Sequence, residues 1–163
     1  MFKNLFKKPA KEQKLYAPLT GNVIPLEEVP DPVFSQKMMG EGMAIIPTNG
    51  QVLSPVNGKV IQIPESKHAI GLLSDDGAEV LIHVGLETVA LKGEGFELKV
   101  ETGEKVTVGQ PLLEFDLEYI QNHAKDIVTP MVITNSNEGE KQFTLTDEKK
   151  ANAGKTVIIT VSE

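Results

Sequence analysis

The sequence contains no cysteine in its 163 residues. That absence excludes disulfides, thiolate metal sites and a cysteine nucleophile. No apolar run approaches 18 residues, so no segment reads as a membrane-spanning helix. The apolar core of a signal peptide is also missing, and the expected location is the cytoplasm. Positive charge is the minority sign: the formal net charge is −7, which makes nucleic acid an unexpected partner. The acidic balance alone points to no other partner. The remaining composition, 40% hydrophobic and 24% charged, is that of one soluble globular domain with a sizeable core.

Residues 1–14 stand apart as a lysine-rich segment in which Phe2, Leu5 and Phe6 have helical spacing. The expectation is a flexible solvated tail; the alternative is a short amphipathic turn that weakly touches an anionic membrane. From residue 15 to 163 the chain reads as a single domain. Short apolar segments are broken by Gly, Pro and Asn-Gly every 8–12 residues or so, the pattern of an all-β antiparallel sandwich or barrel. Expected strands are Gly21–Leu26, Met43–Pro47, Gln51–Ser54, Lys59–Ile63, His68–Leu73, Val80–Val84, Phe96–Val100, Leu112–Asp116, Met131–Thr134, Gln142–Leu145 and Thr156–Val161. Two short helices are expected, one capped by Asp116 over Leu117–Ala124 and one over Pro32–Met39 before Gly40.

Two histidines, His68 and His83, fall in neighbouring strand-like segments separated by Ser74-Asp75-Asp76-Gly77-Ala78. A two-residue turn at Asp75-Asp76 sets them directly opposite one another, and one at Asp76-Gly77 sets them diagonally. Both registers put them on one face of the hairpin, with directly opposed Cβ atoms about 4.5–5.5 Å apart. A three-residue loop would instead separate the faces. Two imidazoles that close suit either a metal ion or a phosphoryl group. Gly85 and Gly71 lack side chains near the pair, which would let another molecule approach. Ser66, Glu87 and Thr88 are near enough in sequence to orient an imidazole by hydrogen bonding. His123 reads as a surface histidine. No third ligand accompanies His68 and His83, so a self-contained zinc hydrolase is not expected. The segments Ser54–Val60 and Glu101–Leu112 are similar to the hairpins of biotinyl and lipoyl carriers, but the turn with a modifiable lysine is missing.

Several stretches together carry a more specific likeness. Asp31–Ile45, Ser54–Gly58, Lys67–Ala69, Leu81–Val89 and Leu91–Phe96 closely resemble the glucose-type enzyme IIA of the bacterial phosphoenolpyruvate-dependent sugar phosphotransferase system. The resemblance runs from about Leu15 to the C-terminus. It implies an antiparallel β-sandwich with one or two short helices and with both histidines in a shallow depression. It implies that His83 is phosphorylated by the phosphocarrier HPr and donates to a cysteine of enzyme IIB, while His68 supports the transfer. An apolar rim of Phe34, Met38, Met39, Val84 and Val89 would dock the two partners in turn, and Met-rich surfaces adapt to such double duty. The same surface in its unphosphorylated form would serve as a regulatory binding module for other proteins. No cofactor is required. Zinc held by His68, His83 and a partner carboxylate is chemically reasonable, although Ser66, Gly71, Leu81 and Glu87 depart from the residues usual around the site.

Overall fold

The computed structural model describes residues 12–163. Over these residues it is an antiparallel β-sandwich of fourteen strands, many of them bounded by the Gly, Pro and Asn residues that punctuate the sequence. In chain order they are β1 Glu12–Tyr16, β2 Gly21–Pro25, β3 Glu41–Pro47, β4 Gln51–Leu53, β5 Gly58–Gln62, β6 Ala69–Ser74, β7 Glu79–His83, β8 Phe96–Leu98, β9 Lys105–Val106, β10 Pro111–Phe115, β11 Thr129–Ile133, β12 Gln142–Leu145, β13 Lys150–Ala151 and β14 Val157–Ser162. An eight-stranded sheet in the order β13-β2-β3-β11-β7-β6-β5-β9 faces two smaller sheets, β1-β14-β12 and β4-β10-β8.

The main core lies between these layers. Ile45, Ile70, Leu72, Val80, Ile82 and Met131 from the large sheet meet Leu15 and Ile159 from one small sheet and Leu112 and Leu113 from the other. A second, smaller core covers the outer face of the large sheet, where Leu26, Val29 and Phe34 pack on Ala44, Leu86, Val128 and Val132. Strand β11 is therefore buried on both faces, and its apolar residues do not alternate as those of a one-sided strand would. The two helices form where expected. Asp31 accepts a hydrogen bond from the Val33 amide at 3.0 Å and caps Pro32–Ser35, while Asp116 accepts one from the Tyr119 amide at 3.0 Å and caps Leu117–His123.

Two expectations need correction. The expected tail boundary at residue 14 does not hold: Glu12, Gln13 and Lys14 belong to β1 and pair with Ser162, Val161 and Thr160 of β14. Their polar composition hid a strand that only its partner stabilises. Phe2, Leu5 and Phe6, the proposed membrane-touching residues, lie outside the described residues.

The hairpin register also differs. The β6–β7 loop has three residues, Asp75-Asp76-Gly77, closed by a Ser74 amide bond to the Ala78 carbonyl at 2.9 Å. Gly77 supplies the left-handed φ of +96° that three-residue hairpin loops require. His83 is therefore paired with Ala69, not with His68. Among the described residues no helix is long and apolar enough to cross a membrane.

Candidate functional site

His83 closes β7 on the outer face of the large sheet, the face it shares with its partner Ala69 and with Leu81. Strand alternation would send His68, one residue before β6, toward the opposite face. Lys67 intervenes with a left-handed φ of +57°, and the strand begins only at Ala69, so alternation does not govern His68. The two rings meet at the strand ends with centroids 4.8 Å apart and planes at 80°. The pair thus forms by a route the sequence reading did not contain.

Each ring is held by one nitrogen. His83 Nδ1 lies 2.8 Å from the Gly85 carbonyl oxygen. A carbonyl can only accept, so Nδ1 carries the proton and Nε2 keeps its lone pair in the neutral ring. Phe34 packs against the same imidazole with ring centroids 5.3 Å apart. His68 Nδ1 lies 2.6 Å from Ser66 Oγ, and only 8% of His68 is exposed. Burial, then the adjacent His83, pushes the His68 pKa down to about 4. Burial also lowers that of His83, opposed by the Gly85 hydrogen bond and by the Asp31 carboxylate. Both rings are therefore neutral near pH 7 and can act as nucleophile or hydrogen-bond donor.

The other expected site residues divide sharply. Ser66 is in place beside His68. Thr88 makes no hydrogen bond to either ring: it is fully buried and its hydroxyl donates to the Val84 carbonyl at 2.6 Å, tying down the chain as it leaves β7. Glu87 is exposed in a left-handed conformation, φ +60°, and forms no hydrogen bond to either ring. The orienting role expected of these two belongs to the Gly85 carbonyl.

Gly85 itself is not a bare approach point. A Cβ there would lie 2.7 Å from Thr88 Cγ2 and 2.9 Å from the Asp126 carbonyl oxygen, facing inward. Gly71 does leave the outer face low, since a Cβ there would meet nothing nearer than 3.5 Å.

The expected apolar rim is largely absent as a continuous surface. Val84 is 0% exposed because it follows His83 and faces the main core. Phe34 is 4% exposed, and Met39 packs beside it against the second core. Met38, at 69% exposure, lines a separate hollow with Thr134 and Ser136. Thr134 bonds Glu79, at the end of β7 opposite His83 and roughly 13 Å along the strand. Val89 is 59% exposed and, with Glu65, Ser66 and Lys92, lines an open hollow of about 630 Å³ beside His68.

Sequence reasoning missed Asp31 and the Gly85 carbonyl. The first carries a signal that goes unused in the sequence, an aspartate directly before Pro32 at the start of a helix, and the second is a backbone group with no residue signature. His123 is exposed, as expected. Among the described residues no cluster of three or more potential metal ligands forms.

A β-sandwich that holds a hydrogen-bonded, neutral imidazole pair at the ends of two interior strands offers what chemistry at a histidine ring would need. The comparisons with known proteins make this specific. Residues 13–139 match the family model of the phosphoenolpyruvate-dependent sugar phosphotransferase system, EIIA 1. The chain is 50% identical over 165 residues to a protein of Staphylococcus epidermidis named PTS system glucose-specific EIIA component, covering 99% of each. It is equally similar to a Staphylococcus aureus protein of the same name. Among solved structures, glucose permease IIA from Mycoplasma capricolum superposes with a TM-score of 0.82 at 34% identity, covering 92% of this chain and 96% of that one. The chain belongs to the EIIA 1 family, and it is a component of a sugar phosphotransferase system.

Proposed function

We propose that this EIIA chain carries a phosphoryl group on His83 Nε2, taking it from HPr and passing it to the cysteine of an enzyme IIB domain. The observation that carries the reading is the 2.8 Å contact between His83 Nδ1 and the Gly85 carbonyl. It fixes the tautomer in which Nε2 attacks with no prior loss of a proton. In the first step the Nε2–P bond forms as the bond from phosphorus to the donor breaks. Nδ1 keeps its hydrogen, and the Gly85 carbonyl stabilises the positive charge that develops on the ring. In the second step a cysteine thiolate of IIB forms an S–P bond as the N–P bond breaks, and His83 returns to its neutral state.

Such transfers depend on positioning and on charge stabilisation at the phosphoryl oxygens. The chain has no arginine, the residue otherwise suited to that task. His68 is the nearest donor: with the Ser66 hydroxyl donating to its Nδ1, its Nε2–H is directed to the phosphoryl oxygens. Phe34, packed on His83, keeps water from one side of the ring. The hollow bounded by Val89, Ser66 and Lys92 receives the partner protein. Zinc would be held by the same two imidazoles, with a partner carboxylate completing its coordination. The test is incubation of the full chain with phosphoenolpyruvate, enzyme I and HPr. A mass increase of about 80 Da that disappears in His83→Ala supports the reading; phosphate that persists in that variant, or that is stable to acid, overturns it.

A further inference from the structure

The loop Lys92–Gly95 lies between the histidine site and the helix Leu117–His123. Three of its four residues are left-handed, Lys92 at φ +56°, Gly93 at +89° and Gly95 at +87°. For a residue such as Lys92, that conformation persists only where its surroundings enforce it. On one side the loop abuts the turn that carries Ser66 and His68: a Cβ on Gly93 would lie 3.7 Å from the Glu65 carbonyl oxygen and from Lys67 Cδ, and 3.9 Å from the Ser66 carbonyl oxygen. On the other side it abuts the helix. A Cβ on Gly95 would lie 2.8 Å from Tyr119 Cδ1, and the Asp116 amide donates to the Gly95 carbonyl at 2.9 Å.

One side-chain bond spans the second junction. Tyr119 Oη donates to Glu94 Oε2 at 2.6 Å, the sole side-chain hydrogen bond formed by the loop among the described residues. The Tyr119 ring is itself fixed. It stacks on the His123 imidazole with centroids 4.1 Å apart and planes at 20°, and His123 Nδ1 lies 2.9 Å from the Tyr119 carbonyl oxygen. The Glu94 bond also raises the pKa of the phenol, so the hydroxyl remains a donor at neutral pH.

We propose that Tyr119 and Glu94 are positioning residues for His68, acting through the Lys92–Gly95 loop on the turn that holds the Ser66–His68 hydrogen bond. Their consequence for transfer rests on the phosphoryl-carrier reading above. Releasing the tether loosens the loop, whose backbone stays anchored at Gly95 through the Asp116 amide, and weakens the backing that aims the imidazole of the Ser66–His68 turn.

The experiment compares Tyr119→Phe, Glu94→Ala and Glu94→Gln in the full chain, with HPr as phosphoryl donor and ¹⁵N-labelled histidine rings observed by NMR below each variant's melting temperature. Tyr119→Phe and Glu94→Ala are expected to lower kcat roughly two- to fivefold, the worth of one partly exposed hydrogen bond, at unchanged KM for HPr. They are expected to shift the ring signals of His68 while those of His83 stay in place. Glu94→Gln keeps an acceptor for the phenol and is expected to behave close to the parent. Unshifted His68 signals in both disruptive variants, or a raised KM at unchanged kcat, would overturn the proposal. A parent chain that takes no phosphate would sink the carrier reading instead, while the ring signals would still decide the coupling.

Discussion

His83 Nδ1 lies 2.8 Å from the carbonyl oxygen of Gly85, two residues further along the same chain. The contact exists because Gly85 adopts φ +70°, which turns the chain sharply as it leaves β7 and brings that carbonyl back beneath the ring. A side chain cannot follow that path, since its Cβ would overlap Thr88 Cγ2 and the Asp126 carbonyl oxygen. One backbone conformation therefore sets both the tautomer and the placement of the proposed nucleophile.

Gly85→Ala should consequently cost about 2–4 kcal/mol of stability, from left-handed strain plus overlap. Phosphate acceptance should suffer in the fraction that remains folded. Gly71→Ala is the contrasting substitution. Its new Cβ meets only ordinary contacts, so stability should change by less than about 1 kcal/mol. Thermal melts of both variants check the pair, and equal losses would contradict the distinction drawn between these glycines.

His68→Gln retains a hydrogen-bond donor of similar reach but not the geometry set by Ser66. The variant should still accept phosphate on His83 and pass it to a IIB domain roughly ten- to hundredfold more slowly, a loss typical of one misplaced transition-state donor. Single-turnover transfer from the phosphorylated chain measures this directly. Onward transfer at the parent rate would remove His68 from the mechanism.

The pH dependence of stability follows from the same burial. The His68 pKa is lowered from 6.5 to about 4 in the folded chain, so between those values the unfolded chain binds more protons. Stability then falls as pH drops through that window, by up to about 3 kcal/mol for this residue. The melting temperature should decline from pH 7 to pH 4, and His68→Gln should flatten part of the decline. A variant whose pH profile parallels the parent's would show that His68 is not buried as a neutral ring.

The sandwich was legible because Gly, Pro and Asn-Gly punctuation marks strand ends regardless of tertiary context. The interiors of strands such as β6 and β7 carry enough β-branched and leucine residues to declare themselves. What could not be read were features set by partners in space. Glu12–Lys14 form a strand only because β14 lies beside them, and β11 loses alternation only because a second core covers its outer face. The histidine pair is the instructive case. Turn chemistry at Asp75-Asp76-Gly77 suggests a two-residue loop, and the third residue shifts the register by one. That shift would have parted the rings had His68 remained within the strand. Lys67, left-handed and exposed, takes it out of the strand and restores the meeting. The rim failed for a simpler reason: Val84 and Phe34 are apolar because they are core, and apolar character in sequence does not say which face it serves.

In the proposed carrier His83 holds the phosphoryl group on Nε2 while Nδ1 keeps its proton for the Gly85 carbonyl. Long-range ¹H–¹⁵N spectra of the histidine-labelled chain, recorded before and after phosphorylation through HPr, test it most directly. The expected result is phosphorus on His83 Nε2, a protonated His83 Nδ1 in both states and no phosphorus on His68. Phosphate on His83 Nδ1 or on His68 would contradict it.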